Sequence, residues 1–310
     1  MTDRPPYAVA DLLPALELRE TAVVRVSWTV EPTDADAEIG LPDRAARVFT
    51  GPSQKQRYER TFGGQLLAQA IIAAGHTMPG RVLHSTHTTF LLSGADTDDV
   101  HYIVEPLTDG RSFSTRRVSV VQHGLLLATV LASFQERSEG LDHAEPGPAA
   151  PPPEQLPNVA EALAGAPEPY AVVTVLDGPI ELRHVEGHLY AGARPEQVAR
   201  QGVWLRARRE LPADPLVHAA YLAYASDYSI LETVLRRHGT AWSDPRLRQA
   251  SLDHTMWFHR PGRADRWVLH VGHSPSASGG RGLGLGRMYA ADGTLLASIA
   301  QEGMLRLKQP

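Results

Sequence analysis

Apolar and polar positions along the chain fall into a helix-then-strands pattern that occurs twice. In the first occurrence FGGQLLAQAIIAAG (62–75) sets Leu66, Ala70, Ala73 and Ala74 at helical spacing, a mostly small-residue stripe that suits a helix wrapped closely by a sheet. Three β-rich segments follow, HSTHTTFLLSG (84–94), DGRSFSTRRVSVVQHG (109–124) and LLLATVLASFQ (125–135), separated by glycine-containing turns. In the second, LVHAAYLAYASDYSILETVLRRHG (216–239) leads into SLDHTMWFHRPG (251–262), SASGGRGLGLGRMYAADG (276–293) and TLLASIAQEGMLRL (294–307). His87-Thr88 recurs as His254-Thr255 and His123-Gly124 as Asp292-Gly293, offsets of 167 and 169 residues. A repeat this long predicts a duplicated domain, because solenoid periods run only about 20–50 residues. Each copy reads as a helix plus an antiparallel sheet, an α+β unit.

The remaining segments read more simply. Residues 7–18 suggest a short helix weakened by Pro14, and AVVRVSWTVEP (22–32) alternates as a strand does. Residues 33–57 are polar and irregular and read as a loop. Between 138 and 167 the composition turns to Pro, Ala, Gly and Glu around PGPAAPPPEQLP, the signature of a semi-rigid linker. Strand signals resume at YAVVTVLDG (170–178), PIELRHVEG (179–187) and GVWLRARREL (202–211). A long helical stretch then runs from 212 to 239, with Arg236, Arg237 and His238 before the Gly239 stop. The implied division is 1–138, a linker at 139–167, and 168–310.

Composition narrows the chemistry. A net charge of −5 with 21% charged residues argues against a nucleic-acid footprint, which needs clustered positive charge. The chain has no cysteine, which excludes disulfides, thiolate metal sites and thiol nucleophiles. The longest apolar run, LLLATVLA, is far short of the ~20 residues of a membrane span. The N-terminal stretch has an early acid and no unbroken apolar run, and the chain ends LKQP, so the expected location is the cytoplasm.

Several motifs bear chemistry. Ser226-Asp227 interrupts the second helical stretch. Either residue could be an N-cap for the helical segment after it, or Asp227 could present a carboxylate to an apolar pocket beside free helix-start amides; both can hold at once. Gln301 and Glu302 interrupt an apolar strand, and Ser251 opens another; a polar group in such a place usually has a partner. On the strand 109–124, Arg111 and Arg117 share one face while Arg116 takes the other, which fits a cationic sheet edge or a phosphate grip equally well. The run GGRGLGLGR lacks dinucleotide spacing and precedes a strand, so its glycines point to a bulge or to close approach of a ligand or of another backbone. Fourteen histidines include no HExxH, and no GxSxG elbow is present.

Taken together, FGGQLLAQA, HSTHTTFLLSG, DGRSFSTRRVSVVQHG with LASFQ, YASDYSIL, SLDHTMWFHRP and ADGTLLASIAQEG resemble the type II acyl-CoA thioesterases, the TesB-like proteins, over nearly the whole chain. The resemblance implies a double hotdog, two antiparallel sheets each wrapped around a long central helix. It implies hydrolysis of fatty acyl-CoA to free acid and CoA, with no metal or cofactor, by a homo-oligomer. The family's catalytic Asp, hydroxyl and Gln match Asp227, Ser251 and Gln301, with Ser standing where Thr is usual. Asp227, oriented by the other two, would deprotonate a water that attacks the thioester, with backbone amides receiving the oxyanion. Arg111, Arg116, Arg117, Gly64 and Gln65 are the candidate substrate contacts. Two other classes stand beside this reading. A MaoC-like enoyl-CoA hydratase would need the Asn and His that the string after Asp227 lacks, and a non-catalytic acyl-CoA binder would not need the three polar positions.

Overall fold

The computed structural model of the chain describes residues 11–28, 41–56, 59–163 and 178–308. Within them, segments rich in Val, Leu and Thr pair into one antiparallel sheet of 13 strands. The elements of the first part are β1 (Arg19–Trp28), β2 (Leu41–Gly51), α1 (Gly63–Gly75), β3 (Val82–Phe90), β4 (Val100–Asp109), β5 (Phe113–Gln122) and β6 (Leu125–Gln135). A short helix α2 (Val159–Ala162) precedes β7 (Ile180–His184), β8 (Arg200–Ala207), α3 (Pro215–Ser226), α4 (Glu232–Arg237), β9 (Leu247–Ser251), β10 (Asp253–Phe258), β11 (Val268–Ser278), β12 (Arg281–Ala290) and β13 (Leu295–Leu307). The strands lie in the order β1-β2-β4-β5-β6-β3-β10-β13-β12-β11-β8-β7, and β9 pairs with the far end of β13.

The seam between the two copies of the repeat is the β3–β10 pair. His87 lies opposite Thr255 and Thr88 opposite His254, so each histidine of the repeated His-Thr dipeptide faces the threonine of the other copy. Such reciprocal pairing is the signature of an isologous, locally two-fold contact. The sheet is therefore continuous across the repeat.

Helix α1 is apolar apart from Gln65 and Gln69, and all eleven residues from Gly64 to Ala74 are buried. It packs on β3, β4, β5 and β6 and runs antiparallel to α3. Glycines allow that approach. A Cβ on Gly64 would lie 2.6 Å from the Tyr224 carbonyl oxygen, and one on Gly75 would lie 2.3 Å from Leu216. Gly284 on β12 does the same for the break between α3 and α4, since a Cβ there would sit 2.6 Å from the Ile230 carbonyl oxygen. That glycine marks the approach of another backbone, while Gly282 and Gly286 make room for the side chains of Val234 and His270.

One sequence expectation needs correction, and the structure adds to three other readings. Residues 41–51 are strand β2, not loop: Arg47 pairs with Glu20 on β1 at 2.6 Å, and the flanking strands impose extended backbone on a segment with few β-branched residues. Strands β4 and β11 went unread in both copies, each carrying a proline where the register slips, after Pro106 and beside Pro275. The interruption expected at Ser226-Asp227 in the stretch 212–239 is present, as a break at 227–231 between two helices. The described part of the Pro-rich linker, read as semi-rigid, is docked on strands of the second half. Trp204 Nε1 donates to Pro151 O, Arg183 Nη1 donates to Pro153 O, and α2 opens on a capping box of Asn158 and Glu161. The strand read at 170–178 falls almost entirely outside the described residues.

Candidate active site

Where α3 ends, three polar side chains from separate elements meet. Asp227 is the residue on which α3 terminates, in helical backbone geometry, and its N–H donates to Ala225 O. It caps no helix start, and neither does Ser226, because Leu231 occupies the position before α4 and no side chain caps it. Gln301 stands in β13 opposite the break between β9 and β10, and Ser251 is the last residue of β9. Gln301 Nε2 donates to Asp227 Oδ1 at 2.8 Å and to Ser251 Oγ at 2.9 Å. Ser251 Oγ in turn donates to Asp227 Oδ1 at 3.3 Å. Gln301 is fully buried, and its Oε1 has no hydrogen-bond partner within the protein. The neighbour of Gln301, Glu302, turns to the other side of the sheet and pairs with Arg281 at 3.1 Å.

The second carboxylate oxygen belongs to the other copy of the repeat. Gly64 N–H, in the first turn of α1, donates to Asp227 Oδ2 at 2.8 Å. An α-helix leaves its first amides unpaired and carries partial positive charge at that end, so α1 is oriented to favour the anion. The helix-start amide beside the carboxylate therefore comes from α1, not from the helix that carries Asp227. Burial pushes the Asp227 carboxyl above its ordinary pKa, and the bonds from Gln301, Gly64 and Ser251 offset only part of that rise. A carboxylate so placed is a stronger base than a solvated one.

Two family descriptions match the chain: "Acyl-CoA thioesterase" over residues 183–304 and "Acyl-CoA thioesterase N-terminal domain" over residues 51–135. Acyl-CoA thioesterase 2 of Haemophilus influenzae is 35% identical over 272 residues, spanning 84% of this chain and 93% of its own. Acyl-coenzyme A thioesterase 8 of Mus musculus is 37% identical, spanning 94% and 91%. The crystal structure of acyl-CoA thioesterase II TesB2 from Mycobacterium marinum superposes with a TM-score of 0.72 at 32% identity, covering 96% of this chain and 99% of that one. This chain belongs to the type II acyl-CoA thioesterase family. The thioesterase has the hotdog fold of that family and is a thioester hydrolase.

Around Asp227 the thioesterase builds an aromatic wall. Phe62 lies 5.1 Å from Tyr224 and 5.0 Å from Tyr228, centroid to centroid. The Tyr228 hydroxyl donates to that of Tyr224, which donates to Gln54 Oε1 at 3.1 Å. Gln65 faces away from the carboxylate into this network: its Oε1 accepts from Gln54 N–H, and its Nε2 donates to Pro52 O and Gln69 Oε1. The three arginines lie elsewhere. Arg116 is buried, donates to Thr77 Oγ1 just beyond the C-terminal end of α1, and pairs with Asp109 at 2.9 Å. Since α1 is about 20 Å long, that end is roughly a helix length from Asp227. Arg117 pairs with Glu105 on β4, and Arg111 is exposed in the turn before β5.

The structure thus brings Asp227, Ser251 and Gln301 together with Gly64, and sets Gln65 and the arginines apart. Sequence reasoning did not foresee Gly64 N–H as a partner of Asp227, nor the Phe62, Tyr224 and Tyr228 wall. FGG and YASDY carried those residues, but nothing local showed that the two strings would meet.

Proposed function

We propose that this thioesterase hydrolyses fatty acyl-CoA to free fatty acid and CoA, with Asp227 as the general base. The observation that carries the reading is a half-buried carboxylate held by three donors next to a glutamine oxygen that has no protein partner. A water that donates to Asp227 and to Gln301 Oε1 would direct a lone pair at the thioester carbonyl. Its oxygen would bond to the carbonyl carbon, and Asp227 would take the proton. Backbone N–H groups other than that of Gly64, which the carboxylate occupies, would receive the oxyanion. Collapse would break the carbon–sulfur bond, and the proton on Asp227 would pass to the departing sulfur. The scheme calls on no metal or cofactor. Ser251 and Gln301 would orient the carboxylate, and Arg111 is the exposed arginine of the three for a CoA phosphate.

Architecturally, we propose a double hotdog whose units are residues 1–138 and 168–310 joined by 139–167, acting in the cytoplasm as a homo-oligomer. The deciding experiment is Asp227→Asn with CoA release followed over acyl-CoAs of graded chain length. Turnover should fall by about two to four orders of magnitude, the usual worth of a positioned base. Near-parental CoA release would refute the assignment.

A further inference from the structure

The chain carrying Asp227 is the one stretch between α3 and α4 with no helical ladder to hold it, and a serine lies at either end of its first turn. Ser226 Oγ donates to Ala223 O at 2.8 Å and lies 2.8 Å from His254 Nε2, so it must accept the imidazole N–H. Ser229 Oγ shares a hydrogen bond of 3.1 Å with His270 Nδ1. His254 stands on β10 at the seam and His270 on β11 on the far side of β13 and β12. The two bonds therefore tie the Asp227 segment to two well-separated strands. The floor beneath is fitted to the same purpose. A Cβ on Gly286 would lie 2.4 Å from His270 Nε2, and one on Gly284 would strike the Ile230 carbonyl.

We propose that the Ser226–His254 and Ser229–His270 pairs are two clamps that hold Asp227 in register with Gln301, Ser251 and Gly64, which makes both histidines positioning residues for the hydrolysis. The proposal rests on Asp227 being the base. Packing alone does not account for the histidines. Each ring is buried with one nitrogen, His254 Nδ1 and His270 Nε2, lacking any partner. An apolar ring would fill the same space without that penalty of about 1–3 kcal/mol. What each imidazole adds is its bond to a serine flanking the carboxylate.

Neutral rings suit the role. Burial lowers the His254 pKa to about 3 and that of His270 to about 4. Neither brings a cation next to Asp227 that would weaken it as a base. The other titratable groups nearby are Tyr224 and Tyr228 beside Asp227, and Glu232 beside His270.

The test compares Ser226→Ala, His254→Phe, His254→Gln and the Ser226→Ala/His254→Phe double variant in the full chain, with Asp227→Asn run in parallel. CoA release is measured from pH 4 to 9. Ser226→Ala and His254→Phe should each lower kcat by about 10–100-fold, the scale of a catalytic group displaced by up to ~1 Å, and leave KM within about twofold. Their acid limbs should move to higher pH, because the donors that lower the Asp227 pKa slip out of line. The double variant should lose no more than the worse single one, and His254→Gln, which can still donate to Ser226, should recover part of the rate. A loss confined to melting temperature would not move the acid limb of the folded enzyme. Should His254→Phe fail to fold, Ser226→Ala, which removes one atom, decides the matter. A folded Ser226→Ala enzyme with parental kcat and an unmoved acid limb overturns the clamp, and an inactive Asp227→Asn beside it confines the failure to the clamp alone.

Discussion

Gly63 offers a sharp probe of the site, because adding one carbon there should separate stability from activity. A Cβ at position 63 would lie 2.8 Å from Asp227 Oδ2 and 3.3 Å from Phe90 Cζ. Ordinary contact begins near 3.4 Å, so the carboxylate oxygen must withdraw by about 0.6 Å. That displacement acts on the 2.8 Å bond from Gly64 N–H and turns the group against Gln301 and Ser251. Misplacing a catalytic group by 1 Å can cost about 100-fold, so roughly half of that displacement should cost about tenfold in kcat. Meanwhile alanine is the better helix former by up to about 1 kcal/mol, and Gly63 opens α1 with φ below zero. Gly63→Ala should therefore melt at or above the parental temperature while releasing CoA about ten times more slowly. Thermal melts and single-substrate kinetics on the same preparation measure both. Parental kcat in a folded Gly63→Ala enzyme would show that Asp227 Oδ2 has room to spare and that its geometry does not govern the rate.

Other outcomes rest on the same geometry. Ser251→Thr keeps the hydroxyl and adds a methyl that restricts its rotamer, so activity should hold or rise, whereas Ser251→Ala should damage it. Because Ser251 and Gln301 share Asp227 Oδ1, the losses of Ser251→Ala and Gln301→Ala should fall well short of adding in the double variant. Arg111→Ala should raise KM in a salt-sensitive way with little change in kcat, while Arg116→Ala, which leaves Thr77 and Asp109 without their buried partner, should lower the melting temperature instead. Acid stability gives a separate check on His254. Its folded pKa lies near 3, below the ordinary 6.5, so only the unfolded chain binds that proton as pH falls between them. Unfolding free energy should drop by about 1.4 kcal/mol per pH unit more in the parent than in His254→Phe, read by urea melts between pH 6 and 4.5.

Much of the site was legible in the chain because polar residues inside apolar strings are conspicuous. Asp227 breaks a helical run and Gln301 breaks LLASIA, and the fold sets them 2.8 Å apart. What remained hidden depends on long-range pairing. Nothing in FGGQ shows that the Gly64 amide meets a carboxylate 163 residues later. Strands β4 and β11 hid behind Pro106 and Pro275, because a proline lowers the local strand signal even where a register slip accommodates it. Strand β2 has the composition of a loop and takes its extended form from the β1 and β4 ladders. The docked linker was invisible for a related reason, since its anchors, Trp204 and Arg183, are on strands of the second half.

The meeting of Gly63 with Asp227 also says why the two copies share a single chain. Gly63 opens α1 in the first copy and Asp227 ends α3 in the second, and they touch where a Cβ on one would be 2.8 Å from the carboxylate of the other. The first copy supplies the glycine and the amide, and the second supplies the acid. Covalent fusion lets each copy specialise for its half of that contact without the other having to carry the same residue. Asymmetry at that single contact turns a redundant pair into a workable one, and it is heritable only because both members are encoded together.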